Sequence, residues 1–194
     1  MLKTKRILGT IVRVFLLISI LAIGTFIYLI RDFNEALKPV ADPSQYEKIL
    51  AGFENSLTVK HFPVKIPADA KNVRLYYLPG FLQGATLFEL RMKLAPEQIK
   101  IIEGKFLNQA KRKYIPGAKN NSPTEEDSPT GMKVEYTYKS YTGTLNGEKF
   151  PSNYKILVLE DTRGSPTYNW KHSDVYGVAI DPATSEVVYW LEDW

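Results

Sequence analysis

Residues 86–94 read TLFELRMKL, and the character of their side chains alternates along the chain. Successive residues of a strand point to opposite sides. Phe88, Leu90, Met92 and Leu94 therefore share one face, and Glu89, Arg91 and Lys93 share the other. This pattern predicts a half-buried β-strand, which needs strands beside it and a layer packed on its apolar face.

Upstream, residues 73–78 predict a second short strand, and Pro79-Gly80 with Gly84 mark a reversal, so the two form a hairpin. Downstream, Pro96 opens a helix that carries Ile99, Ile102, Phe106 and Ala110 on one stripe. Lys111, Arg112 and Lys113 follow at its negative end. Residues 117–131 (GAKNNSPTEEDSPTG) lack apolar periodicity and predict a solvated loop. Alternation resumes over residues 132–141, with Val134, Tyr136 and Tyr138 opposed to Lys133, Glu135, Thr137 and Lys139.

Residues 154–161 contain the run ILVL, which predicts a strand covered on both faces. Residues 175–180 and 186–192, joined across Asp181-Pro182-Ala183-Thr184-Ser185, predict a terminal hairpin. Toward the N-terminus, Asp42-Pro43-Ser44-Gln45 signals a helix start, after which Tyr46, Ile49, Leu50 and Phe53 share a face. The prolines at 63 and 67 make residues 61–67 an extended connector. The order is helix, strand, strand, helix, then four strands. It predicts an α+β domain over residues 42–194: a mainly antiparallel sheet with about two helices packed on one face.

A different physics governs the beginning of the chain. Residues 7–30 carry a single charge, Arg13, and as a helix they span about 36 Å at about 1.5 Å per residue. That length crosses a hydrocarbon core of about 30 Å. The expected organisation is a basic cytoplasmic N-terminus (1–6), a transmembrane signal anchor (7–30), a juxtamembrane linker (31–41) and the domain outside the cell (inner) membrane. The positive-inside rule sets that orientation, because Lys3, Lys5, Arg6 and Arg13 face no acid, whereas Arg31 and Lys38 are balanced by Asp32 and Glu35. The competing expectation is a cleaved signal peptide, for which Ala22-Ile23-Gly24 supplies small residues. The apolar run continues through Ile30, longer than an ordinary signal core.

The formal net charge of +4 resides wholly in residues 1–38, and from Pro39 onward 19 basic residues meet 19 acidic ones. A neutral domain without a basic stripe offers no footprint for a nucleic-acid backbone, so no nucleic-acid partner is expected. The absence of cysteine removes thiolate chemistry, disulfides and lipid attachment at a cysteine. His61 and His172 lie far apart, and Glu125-Glu126-Asp127 lacks the ligand alternation of a calcium loop, so neither metal nor cofactor is expected. His172-Ser173-Asp174 holds the residue types of a triad, but adjacent residues of an extended chain point to opposite sides. There is no phosphate-cradling glycine motif and no G-x-S-x-G elbow.

Two features remain as candidate contact sites. Phe81 and Leu82 put apolar side chains in a turn where polar ones are usual. Tyr168, Trp170 and His172 belong to an aromatic-rich C-terminal part of the kind that stacks on sugars or clasps peptides, although packing in the sheet explains most of those aromatics. The expectation is a membrane-anchored extracytoplasmic binding or scaffolding domain without catalysis. Its partners would be the lipid bilayer through residues 7–30 and an envelope protein or glycan. The alternatives are an extracytoplasmic hydrolase of cell-envelope material, requiring two carboxylates about 5–10 Å apart in a cleft, and a small-ligand carrier, requiring an apolar cavity above the sheet.

Overall fold

The computed structural model describes residues 2–53, 56–81, 84–116, 125–127, 133–135, 138–144, 146–163 and 174–193. It divides into two units, Met1–Lys38 and Pro39–Trp194. The first is a single helix, α1 (Leu2–Ala36), which runs past both ends of the apolar segment read from the sequence. Its window Leu16–Phe33 has a mean hydropathy of 1.9 and is long and apolar enough to cross a membrane. Leu17, Leu21, Phe26 and Tyr28 are exposed around it, an all-round apolar surface suited to lipid.

The second unit begins with a 3₁₀ turn at Pro43–Gln45, where the Asp42 carboxylate accepts the Ser44 N–H at 2.9 Å. α2 (Tyr46–Ala51) follows, then a second 3₁₀ turn, Leu57–Val59. β1 (Lys71–Leu78) and β2 (Thr86–Lys93) form the expected hairpin, with Leu75 opposite Leu90. α3 (Pro96–Leu107) starts where the Gln98 side chain caps the Ala95 N–H at 3.0 Å. The remaining strands are β3 (Arg112–Tyr114), β4 (Glu125–Asp127), β5 (Lys133–Glu135), β6 (Lys139–Ser140), β7 (Glu148–Lys149), β8 (Lys155–Asp161), β9 (Asp174–Asp181) and β10 (Glu186–Asp193).

Six strands make one sheet in the order β1-β2-β10-β9-β8-β3, and each neighbouring pair is antiparallel. The architecture is α+β, as the strand and helix order predicts. β10 takes the centre by adding to β2, with Tyr189 opposite Leu90 and Leu191 opposite Phe88. The β9–β10 turn is closed by Asp181, whose carboxylate accepts from the Ala183 N–H at 3.0 Å and the Thr184 hydroxyl at 2.6 Å.

One face of the sheet carries the main core. Phe88, Leu90, Met92, Leu157, Val178, Val187 and Tyr189 pack there with Tyr46 of α2, Ile99 and Phe106 of α3, and Phe62. Each of these large side chains contributes roughly 1.5–3 kcal/mol through burial.

The opposite face departs from the expectation of a solvated surface. Tyr138, Phe150 and Tyr154, from the segment that holds β6 and β7, cover Val158, Val175, Ala179, Val188 and Trp190. The described residues of the stretch 132–141 fall in two short strands with different partners. β5 pairs with β4, within the stretch expected to be loop, and β6 pairs with β7. Tyr138, just before β6, lies against Trp190 at 5.5 Å between ring centroids.

That second layer leans on Gly177. A Cβ added there would stand 2.4 Å from the Leu157 carbonyl oxygen and 2.9 Å from the Trp190 ring. The carbonyl belongs to strand backbone, so it can yield only by distorting the β8–β9 ladder, which already shifts register between Val158 and Glu160. Gly177→Ala is expected to cost about 2 kcal/mol in urea unfolding, the range of core overpacking, and to weaken the near-ultraviolet aromatic signal. An unchanged midpoint would show that Trp190 does not lie against this strand.

Candidate functional site

The 3₁₀ turn Leu57–Val59 is capped by Ser56, whose hydroxyl accepts the Thr58 N–H at 3.3 Å. This turn delivers Lys60 outward and His61 inward. The His61 ring stacks on Tyr176 at 5.2 Å and lies 4.5 Å from the Phe62 ring. Its Nε2 is 3.1 Å from the Trp190 carbonyl oxygen, which has no proton to give, so Nε2 donates and the ring is the Nε2–H tautomer. Nδ1 is buried without a hydrogen-bond partner. Burial disfavours the charged ring and pushes its pKa down to about 3, against smaller opposing contributions from the nearby carbonyls of Trp190, Thr58 and Gly177.

Beside this histidine, between the turn and the C-terminal half of α3, lies a groove of about 410 Å³. Leu57, Phe106, Leu159 and Tyr176 supply its apolar and aromatic lining, and His61 adds an uncharged ring. Lys60, Lys105 and Gln109 supply the polar part. Burial raises the Tyr176 hydroxyl pKa, so it stays protonated and able to donate. The volume falls within the range of small-molecule sites, and the mixture of an apolar wall with a few polar groups is what such sites use.

The second face of the sheet holds a polar network. The Glu89 carboxylate accepts from the Ser140 hydroxyl (2.7 Å), the Thr142 hydroxyl (2.6 Å) and the Tyr141 N–H (2.6 Å). The Arg91 guanidinium donates to Ser140 (2.6 Å) and to Glu186 (3.1 Å), and the Tyr154 hydroxyl also donates to Glu186. These bonds tie the 138–154 segment to β2 and β10. Farther along the same face, Asp161 and Glu192 both stand opposite Val175, on either side of β9. Burial raises the Glu192 pKa, opposed by Arg163, Lys139 and the Tyr141 hydroxyl. Asp161 accepts from Tyr138 (2.9 Å) and from Arg163 (2.7 Å). Both carboxylates are engaged by side chains of the domain itself, an arrangement that holds layers together rather than presenting an acid and a base to a substrate.

Of the residues singled out in sequence, Phe81 is exposed, 44% of its surface being accessible. Leu82, Tyr168, Trp170 and His172 lie outside the described residues. Most of the remaining described C-terminal aromatics are packing: Tyr189 and Trp190 are buried, one on each face of β10. The groove went unseen in the sequence. Its residues come from positions 57–61, 105–109, 159 and 176, and the only local hint was a histidine just after a capped turn. No group of three or more histidine, aspartate or glutamate side chains suited to a metal occurs among the described residues. Comparison with protein families, with curated proteins and with solved structures found no match.

Proposed function

We propose that this protein is a membrane-anchored extracytoplasmic domain that binds a ligand or partner without catalysis, and that the groove beside His61 is where it binds. The groove carries the reading: it is concave, partly apolar and edged by amine and amide groups, and its histidine is too acidic to exchange protons near neutrality. The acidic groups of the second face are consumed by internal hydrogen bonds, which speaks against the hydrolase alternative. The apolar helix supports the anchor, and the basic excess before it supports an N-terminus in the cytoplasm.

Two measurements test this. Because the chain has no cysteine, a single Lys100→Cys substitution on the exposed side of α3 gives a unique label. A membrane-impermeant maleimide is expected to label it in intact cells; labelling only after lysis would reverse the orientation. A photo-crosslinking residue at Gln109 is expected to give a discrete adduct that the same residue at Lys100 does not give. Equal behaviour at the two positions would remove the groove from the reading.

A further inference from the structure

We infer that the groove between α3 and the Leu57–Val59 turn takes a small carboxylate with an apolar body, an inference that rests on the binding reading above and names its ligand class. Charge is the first reason. Two nearby lysines are neutralised, Lys111 by Glu160 and Lys155 by Glu103. Lys60 and Lys105 are exposed on the groove and have no carboxylate within 4 Å among the described residues, although Lys105 lies 4.7 Å from the Phe106 ring centroid. Two ammonium groups beside one apolar concave surface complement an anion that carries an apolar body.

The number of negative charges follows from the surroundings. The groove lies at the C-terminal half of α3, the negative end of its dipole. His61 stays uncharged and adds no cation. Among the described residues no arginine lines the groove to offer the fork that grips a phosphate bidentately. Two separate ammonium groups, with the Gln109 amide and the Tyr176 hydroxyl, can meet the two oxygens of a monoanionic carboxylate, and the negative helix end disfavours a second negative charge on the ligand. The body of the ligand must be apolar, because Leu57, Phe106 and Leu159 gain only from apolar contact. A volume of about 410 Å³ limits that body to small-molecule size.

The full chain, placed in zwitterionic lipid nanodiscs, can be titrated calorimetrically with 4-phenylbutyrate, 4-phenylbutan-1-ol and 4-phenylbutylphosphonate, using empty nanodiscs as the blank for partitioning. The carboxylate is expected to bind at least about tenfold tighter than the alcohol, since charge-assisted hydrogen bonds are roughly twice as strong as neutral ones, and tighter than the phosphonate, whose second negative charge develops beside the negative helix end. Lys60→Gln combined with Lys105→Gln should weaken the carboxylate about tenfold and leave the alcohol unchanged, and both substitutions sit on the exposed surface where folding tolerates them. The inference is overturned by equal binding of acid and alcohol, by tighter binding of the phosphonate, by an unchanged double variant, or by no binding of the acid. Persistence of the Gln109 adduct in any of those cases would show that the groove binds something else. Loss of the adduct would remove the binding reading itself.

Discussion

Replacing Glu89 with alanine is expected to destabilise the Pro39–Trp194 unit by about 4 kcal/mol, the largest effect of any single substitution considered for this fold. The side chain is 1% exposed, in the middle of the sheet between β1 and β10. Its removal takes the acceptor from three donors, the buried Ser140 hydroxyl and the half-buried Thr142 hydroxyl and Tyr141 N–H. It also removes a carboxylate 3.7 Å from the Arg91 Nε, leaving the half-buried guanidinium with Glu186 as its remaining carboxylate partner among the described residues. Hydrogen bonds to a charged group contribute about 1.5–3 kcal/mol each, and three are lost together, whereas an ordinary hydrogen bond contributes only about 1 kcal/mol. Ser140→Ala should therefore cost about 1–2 kcal/mol by the same urea titration of the full chain. If Glu89→Ala costs less than Ser140→Ala, the 138–154 segment is not held to the sheet by this carboxylate.

The second large effect is acid sensitivity centred on His61. In the unfolded chain this histidine titrates near 6.5, and in the fold burial pushes it down to about 3. Between those values the unfolded state holds the extra proton, so stability is fully present above pH 6.5 and declines as pH falls toward 3. Integrated from pH 6.5 down to pH 4, the loss is about 3 kcal/mol. Glu192 works in the other direction, because its raised pKa lets the fold keep a proton that the unfolded chain releases, and its contribution is lost as pH rises. The comparison that isolates His61 is therefore the difference between wild type and His61→Gln, whose amide can still donate to the Trp190 carbonyl. Urea midpoints measured from pH 7 to pH 4 should fall more steeply for wild type than for the variant. Parallel profiles would mean that the ring is solvated in the folded state.

Much of this protein was legible without its structure, and the reason is locality. The β1–β2 hairpin, the stripe of Ile99 and Phe106 and the cap at Asp42 each depend on residues within about two dozen positions of one another. The alternation of residues 86–94 correctly put Phe88, Leu90, Met92 and Leu94 in the core. It misplaced Glu89, because the same alternation describes a strand whose polar face meets water and one whose polar face meets a second layer of donors. The difference lies at Ser140 and Thr142, about 50 residues away, and no local pattern announces it.

The sequence by itself determined the membrane-length apolar helix, the neutral charge of the chain from Pro39 onward and the alternation of strands and helices, since each is a property of neighbouring residues. Tertiary structure alone decided that β10 adds to β2, that a second layer closes over the sheet and that positions 60, 61, 105, 109 and 176 meet around one groove. Those choices depend on which distant surfaces exclude water together, a free energy that belongs to the assembled chain and to no segment of it.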